Sequence, residues 1–230
     1  MFILKGLFAL FFISVFFSSN LSAKYLYKDE IIFNPAFEAQ VDKIGSELYE
    51  KSGIKLLLVM LKKLPDGKNI VEYQSELLKD FNEPTILLTF SELDLKVDIL
   101  ANDTTLYNYF DKKQVLSPVA SSVQAFVMAL FYNNGFESFK EIASSHGGTI
   151  LPLLAQKAKP EELLGKYSAS MFNGYADVAQ QLAKSKNIEL QSSVGDANQK
   201  SILFLKVIFY GFILYALYLY IKRKVKRNEN

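Results

Sequence analysis

The chain has no cysteine and no tryptophan, and His146 is its single histidine. The lack of cysteine excludes disulfide frameworks, thiolate-bound zinc or iron–sulfur centres, and cysteine nucleophiles. A metal site built from several histidines is excluded within one chain. Both arginines, Arg223 and Arg227, lie close to the C-terminal end. The rest of the chain therefore offers no guanidinium group to stabilise a transferring phosphoryl group.

Apolar residues, by contrast, are abundant. Of the 230 residues 50% are hydrophobic, and the chain contains 19 phenylalanines and 13 tyrosines. The length suits one or two globular domains with a sizeable core. A mean hydropathy of +0.11 is high for a purely soluble protein, so this composition indicates membrane segments.

The N-terminal segment has the pattern of a secretory signal peptide. Lys5 precedes an apolar run over residues 6–17, and the polar stretch that follows ends in the small residue Ala23. An apolar helix of this length spans about 18 Å, less than the roughly 30 Å of a hydrocarbon core. The pattern predicts a signal peptide over residues 1–23 with cleavage after Ala23. The alternative is an uncleaved anchor.

A second apolar segment lies near the C-terminus. Residues 202–221 contain one charge, Lys206, and five of the six residues in 222–227 are basic. A run of about 20 apolar residues crosses a bilayer as a helix, and a basic cluster marks its cytoplasmic side. We therefore predict a transmembrane helix over 201–221 and a basic cytoplasmic tail over 222–230.

The charge distribution explains the sequence pI of about 8.5 without invoking nucleic acid. Acidic residues outnumber lysines between residues 24 and 200, and the positive charge is concentrated in the tail. The sequence predicts a single-pass protein of the inner (plasma) membrane. Its main domain is expected to be extracytoplasmic, in the periplasm, with the C-terminus in the cytoplasm and no nucleic-acid partner.

The sequence between the predicted signal peptide and the predicted transmembrane helix indicates an α/β fold, with a small mixed sheet sandwiched by helices. One helix is predicted between Asn34 and Gly53, and a second over residues 69–81. Strands are predicted at 54–62, 85–90 and 95–101, the last two forming a hairpin. Further helices follow, and residues 151–200 are expected to form a helical extension and a juxtamembrane linker.

Two stretches of the sequence resemble the TPM domain, a family named after a thylakoid lumen protein, a photosystem II repair protein and a worm receptor modulator. Residues 46–81 are similar to its helix, apolar strand and second helix, with the sequence SELYEKSGIKLLLVMLKKLPDGKNIVEYQSELLKDF. Residues 85–100 are similar to its next strand, short turn and following strand, with the sequence TILLTFSELDLKVDIL. The likeness covers about residues 30–145, and residues 24–150 are accordingly identified as a TPM-like α/β domain.

The resemblance implies an extracytoplasmic domain on a membrane anchor, and phosphatase activity and calcium binding are attributed to some relatives. This chain departs from the family in two loops that usually contain glycine, residues 82–84 and residues 101–105. Both loops lie at strand ends, where open α/β sheets bind ligands. The departures argue against both activities in this chain.

Carboxylates cluster in sequence around the predicted hairpin, at Glu92, Asp94, Asp98 and Asp103. Oxygen ligands of this kind suit calcium or another divalent cation. The alternate spacing of Asp94 and Asp98 is also typical of the solvated face of an edge strand, and Lys96 between them does not suit a cation site. The sequence favours the edge-strand interpretation.

Asp103 and Asp111 are the better metal candidates, because both follow the third predicted strand. His146 has two interpretations, a base for a nearby serine or a residue favoured by the dipole at a helix C-terminus. Without a nucleophile motif such as Gly-x-Ser-x-Gly around it, the second is preferred. No cofactor is expected, a divalent cation stays open, and no catalytic residue is assigned.

Topology and resemblance together predict a membrane-tethered domain that binds envelope or membrane proteins and supports their assembly or maintenance. The alternative is a metal-dependent extracytoplasmic phosphatase. The enzyme requires three or more carboxylates that meet at the loop end of the sheet. The binding module instead requires an exposed apolar or aromatic patch.

Overall fold

The computed structural model describes residues 24–121 and 147–192. The predicted signal peptide, His146, the transmembrane segment 201–221 and the tail 222–230 lie outside these residues. So do residues 122–146, within the stretch where the sequence predicts further helices. Within the described ranges, no helix is both long enough and apolar enough to cross a bilayer.

A mixed sheet of four strands forms the centre of the fold. Its strands are β1 (Leu26–Asp29), β2 (Lys55–Leu61), β3 (Thr85–Ser91) and β4 (Lys96–Ala101), adjacent in that order. The first three strands run parallel, and β4 is antiparallel to β3. The prediction of a small mixed α/β sheet with a C-terminal hairpin is confirmed. The short strand β1 is an addition that the sequence pattern does not predict.

Local sequence signals set the two helices between the parallel strands. Helix α1 (Pro35–Ser52) begins where the Asn34 side chain accepts hydrogen bonds from the first-turn amides, and it ends at Gly53 with a φ of 70°. Helix α2 (Ile70–Leu78) begins with a capping box between Asn69 and Glu72. It is shorter than the predicted 69–81, because the amides that follow Leu78 bond to carbonyls only three residues back.

The described residues after the hairpin are mostly helical. A 3-10 helix (Thr104–Asn108) and helix α3 (Lys112–Val115) follow β4 directly. Beyond residue 147 come α4 (Leu151–Leu154), a 3-10 turn (Pro160–Glu162) and the long helix α5 (Leu163–Ser185). Helix α5 packs on α1 and on β2.

Residues on both sides of position 150 build one hydrophobic core. The fully buried Tyr175 of α5 donates a hydrogen bond from its hydroxyl to the carbonyl oxygen of Leu56 at 2.9 Å. Its hydroxyl lies against Gly45 of α1, where a larger side chain would overlap it. The predicted helical extension therefore contributes core residues to the α/β domain.

The strand directions define two edges of the sheet. The carboxyl ends of β1, β2 and β3 share one edge, to which the β3–β4 turn also belongs. The amino ends of β2 and β3 lie at the opposite edge, together with the end of β4, where Asn102 and Thr85 exchange hydrogen bonds. All of β3 is buried, so both faces of this strand are covered.

Candidate functional site

Loops from three strands meet at the carboxyl edge, the position where open α/β sheets bind ligands. The amide of Glu30 donates to the carbonyl of Met60 at 2.9 Å, and the amide of Glu92 donates to the carbonyl of Leu61 at the same distance. The loops after β1 and β3 therefore flank the loop after β2. They form one continuous surface.

The loop after β1 is held by a single carboxylate. Asp29 accepts backbone hydrogen bonds from Ile31 and Ile32 through Oδ1, and from Phe33 through Oδ2 at 2.7 Å. This arrangement fixes Phe33 at a φ of 50° with 73% of the residue exposed. A large side chain rarely adopts that left-handed backbone conformation. The loop thus maintains a strained backbone that presents an aromatic ring to solvent.

The β3–β4 turn repeats this construction with a second aspartate. Asp94 Oδ2 accepts hydrogen bonds from the Ser91 hydroxyl at 2.5 Å and from the Leu64 amide at 2.7 Å. The same two hydrogen bonds, from Ser91 first, lower the pKa of Asp94. The carboxylate stays ionised and holds the turn against the loop after β2.

Leu95 corrects one prediction from the sequence. The predicted strand 95–101 begins at Leu95 and places it on one face with Val97 and Ile99, of which Ile99 is fully buried. Leu95 instead precedes the strand, has a φ of 49° and is 78% exposed. A left-handed residue at the end of a turn rotates the side chain out of the strand alternation, so Leu95 faces solvent.

Exposed apolar side chains are concentrated at this edge. We define the carboxyl-edge patch as Phe33, Leu93 and Leu95, of which Leu93 is 62% exposed. Val71 and Leu164, in the first turns of α2 and α5, are also exposed. Among large apolar residues in the described ranges, the remaining exposed one is Tyr27 of β1. The clustering distinguishes this edge from the scattered apolar exposure of ordinary surfaces.

Three lysines of the edge pair with nearby carboxylates. The Lys62 ammonium lies 2.5 Å from the Glu92 carboxylate, and the Lys62 amide donates to Glu30. Lys28 pairs with Glu30 at 2.7 Å, and Lys63 pairs with its neighbour Asp66. The paired charges around Lys62 therefore lie between the loop that carries Phe33 and the turn that carries Leu93 and Leu95.

The two predicted metal ligands lie elsewhere and cap helices. Asp103 follows β4 at the amino edge, where its carboxylate accepts from the Thr105 amide at 2.8 Å, and this bond lowers the pKa of Asp103. Asp111 caps α3 by accepting from the Gln114 amide at 3.0 Å. Because β4 runs antiparallel to β3, a residue after it reaches the edge opposite the parallel carboxyl ends.

The other predicted carboxylates each have a local partner. Asp98 pairs with Lys112 at 2.7 Å. In the carboxyl-edge loops, Glu92 pairs with Lys62, and Asp94 accepts a hydrogen bond from the Leu64 amide. Across residues 24–121 and 147–192, no three Asp, Glu or His side chains are grouped closely enough to hold a metal ion. These carboxylates therefore act within the described fold as caps and ion-pair partners.

An open cleft of about 1310 Å³ lies between the segment after β4 and the last turn of α5. Its lining includes Tyr107, Phe110 and Leu116, with Lys113 and Lys184 among the charged residues. Of the described residues that line it, Asp111 alone carries a carboxylate. Among those residues, Asp111 therefore has no second acidic group with which to perform acid–base chemistry.

Sequence reasoning does not find the carboxyl-edge patch. One signal was present in the apolar residue Leu93, which lies in the turn between the predicted strands 85–90 and 95–101, since turns usually contain polar residues. Phe33 directly before the helix cap Asn34 was a second such signal. Neither pattern specifies a left-handed backbone, which accompanies the hydrogen bond from the Phe33 amide to Asp29 and the one from the Leu95 amide to the Glu92 carbonyl.

The sequence was compared with models of known families and with curated proteins. No family model matches the chain, and no curated protein matches it.

Proposed function

We propose that this protein is a membrane-tethered, extracytoplasmic binding module that holds envelope or membrane proteins during their assembly or maintenance. The observation that carries the proposal is the carboxyl-edge patch, with Phe33 and Leu95 both at positive φ and both exposed. The resemblance to the TPM domain and the apolar segment at 201–221 support the tethered topology.

Preorganisation makes the patch suited to binding. Asp29 and Asp94 fix the two loops before a partner arrives, so association costs less conformational entropy than ordering flexible loops. Exposed apolar side chains in a rigid setting supply the apolar contacts of a protein interface, and the paired charges between them supply its polar contacts. This division fits recognition of another protein.

Binding is tested with the full-length chain in membranes of the cells that produce it. After mild cross-linking, a defined protein should co-purify with the wild type and be lost from the double variant Leu93→Ser/Leu95→Ser. Lys96→Ser is the matched control, because it changes an exposed residue beside the same turn without removing apolar surface. Equal recovery of the partner with the double variant would refute the patch as the binding surface.

Topology has its own test. Protease added to osmotically opened cells should digest residues 24–200 and spare a tag placed after residue 230. Protection of the domain in opened cells would refute the extracytoplasmic placement.

The phosphatase alternative is tested separately by an activity assay. The purified protein is expected to hydrolyse no phosphate monoester with calcium, magnesium or manganese, since Asp103 and Asp111 act as helix caps. Turnover that disappears on Asp103→Asn would overturn the binding module in favour of the enzyme.

A further inference from the structure

The described chain leaves the domain at the edge opposite the carboxyl-edge patch. Glu47, in the C-terminal half of α1, accepts backbone hydrogen bonds from Gln191 at 2.7 Å and from Ser192 at 2.8 Å. Lys51, one turn later, donates to the carbonyl of Glu189 at 2.7 Å. Helix α1 ends just before the amino end of β2, so residues 189–192 lie toward the amino edge.

We infer that the carboxyl-edge patch docks on a protein surface that lies away from the membrane anchoring the chain, and does not insert into that membrane. The inference rests on the proposed function, which supplies the anchor at 201–221. It specifies the partner as a protein with an apolar, uncharged contact surface that is reachable from outside the bilayer.

Length separates the patch from the anchor. A strand of the length of β2 or β3 spans about 23 Å, so the patch lies at least that far from the amino edge. Residues 193–200 connect Ser192 to the proposed anchor, and a stretch of this length reaches about 27 Å when fully extended. Insertion of the patch into the same bilayer would require the domain to invert and the linker to run back almost fully extended. That requirement removes most of the linker's conformational freedom.

The charges at this edge also favour a protein partner over a lipid surface. Loops that bind anionic bilayers carry an excess of lysine or arginine beside their apolar residues. At this edge Lys28, Lys62 and Lys63 each have a carboxylate partner, and the exposed Lys96 lies near the Asp94 carboxylate, whose pKa it helps to lower. These lysines, balanced by carboxylates, give an anionic headgroup layer little electrostatic attraction, whereas a protein interface combines apolar contacts with such paired charges.

The absence of tryptophan provides a direct test. Phe33→Trp places a single indole in the patch, and the full-length variant is reconstituted into vesicles of phosphatidylcholine and phosphatidylglycerol, with and without brominated acyl chains. The emission of this indole is expected to remain that of a water-exposed group, without quenching by brominated lipid. Phe209→Trp, within the proposed anchor, is the control that must be quenched. Quenching in the Phe33→Trp variant, or a shift of its emission to shorter wavelength, would overturn the inference.

A second measurement identifies what covers the patch in cells. A photo-reactive amino acid replaces Leu95 in one variant and Lys79, an exposed residue at the end of α2, in another. A protein adduct at position 95 that falls at least fivefold on adding Phe33→Ser is the expected result. Lipid adducts at position 95 would overturn the inference.

The same measurement distinguishes the inference from the proposed function. A protein adduct at position 79 with none at position 95 would refute the docking surface while leaving a binding function in place. No protein adduct at either position would refute both. Every variant is compared at matched membrane abundance, so loss of an adduct cannot reflect loss of the chain.

Discussion

The Glu47 carboxylate accepts a hydrogen bond from the amide of Ser192, 145 residues further along the chain, at 2.8 Å. The Ser192 hydroxyl bonds to the same carboxylate, and Lys51 pairs with it at 2.6 Å. One side chain thereby fastens the end of the described chain to helix α1. This attachment determines which edge of the domain the C-terminal segment leaves from.

Glu47→Gln is expected to lower the free energy of unfolding by about 1–2 kcal/mol at pH 7, because charge-assisted hydrogen bonds become neutral ones. Burial by itself raises the pKa of the Glu47 carboxyl, but hydrogen bonds from Lys51 and Ser192 outweigh it and lower the pKa to about 2.

The lowered pKa of Glu47 predicts how the stability of the fold depends on pH. A depressed pKa in the folded state means that the stabilisation is complete above the ordinary value of 4.5 and is lost as the pH falls toward 2. The difference between wild type and Glu47→Gln should therefore shrink between pH 5 and about pH 2 in denaturant titrations. Glu161→Gln, at an exposed position, is the control. A difference that does not change with pH would contradict the assignment.

Thr89→Val is expected to raise the free energy of unfolding by up to about 1 kcal/mol. Thr89 is fully buried, and its hydroxyl has no hydrogen-bond partner within the described part of the chain. Thr85→Val is the matched control, because that buried hydroxyl donates to the Glu83 carbonyl at 2.9 Å and its loss should be destabilising. Urea unfolding of both variants measures the contrast. A destabilised Thr89→Val would show that the hydroxyl has a partner after all.

Gly45→Ala is expected to lower the free energy of unfolding by about 1–3 kcal/mol. A Cβ at this position in α1 would overlap the ring of Tyr25 and the hydroxyl of Tyr175, both buried in the core. Gly165→Ala in α5 meets no atom within 4 Å, and the higher helix propensity of alanine should stabilise it by up to about 1 kcal/mol. Thermal unfolding compares the two. Equal melting temperatures would contradict the close packing of α1 on α5.

Leu95→Asn is expected to stabilise the fold and weaken partner binding at the same time. Asparagine adopts the left-handed region more readily than leucine, so the gain is on the order of 0.5–1 kcal/mol. Leu93→Asn removes similar apolar surface at a residue without positive φ, and it should weaken binding with no gain in stability. Denaturant unfolding and the cross-linking assay measure the two effects separately. A Leu95→Asn variant with unchanged binding would remove Leu95 from the patch.

The sequence by itself determined the elements with strong local signals. The caps Asn34 and Asn69 set the starts of α1 and α2, and the apolar runs specified β2 and β3, because local hydrogen bonds and continuous hydrophobicity decide those segments. The short strand β1 escaped prediction, since four residues of mixed burial pair with β2 only in the folded sheet.

Only the tertiary structure decided where the chemistry-bearing residues meet. Asp103 follows a strand, as the sequence predicted, and the antiparallel direction of β4 that the predicted hairpin implies takes it to the edge away from Asp29 and Asp94. The parallel pairing of β1, β2 and β3 joins distant segments, and no local pattern encodes which of their loops meet. Similarly, the loops that carry Phe33 and Leu95 meet through contacts between distant segments, because the amides of Glu30 and Glu92 donate to carbonyls at the end of β2 and Asp94 accepts from the Leu64 amide. These long-range contacts place apolar residues of two separate turns at one edge of the sheet.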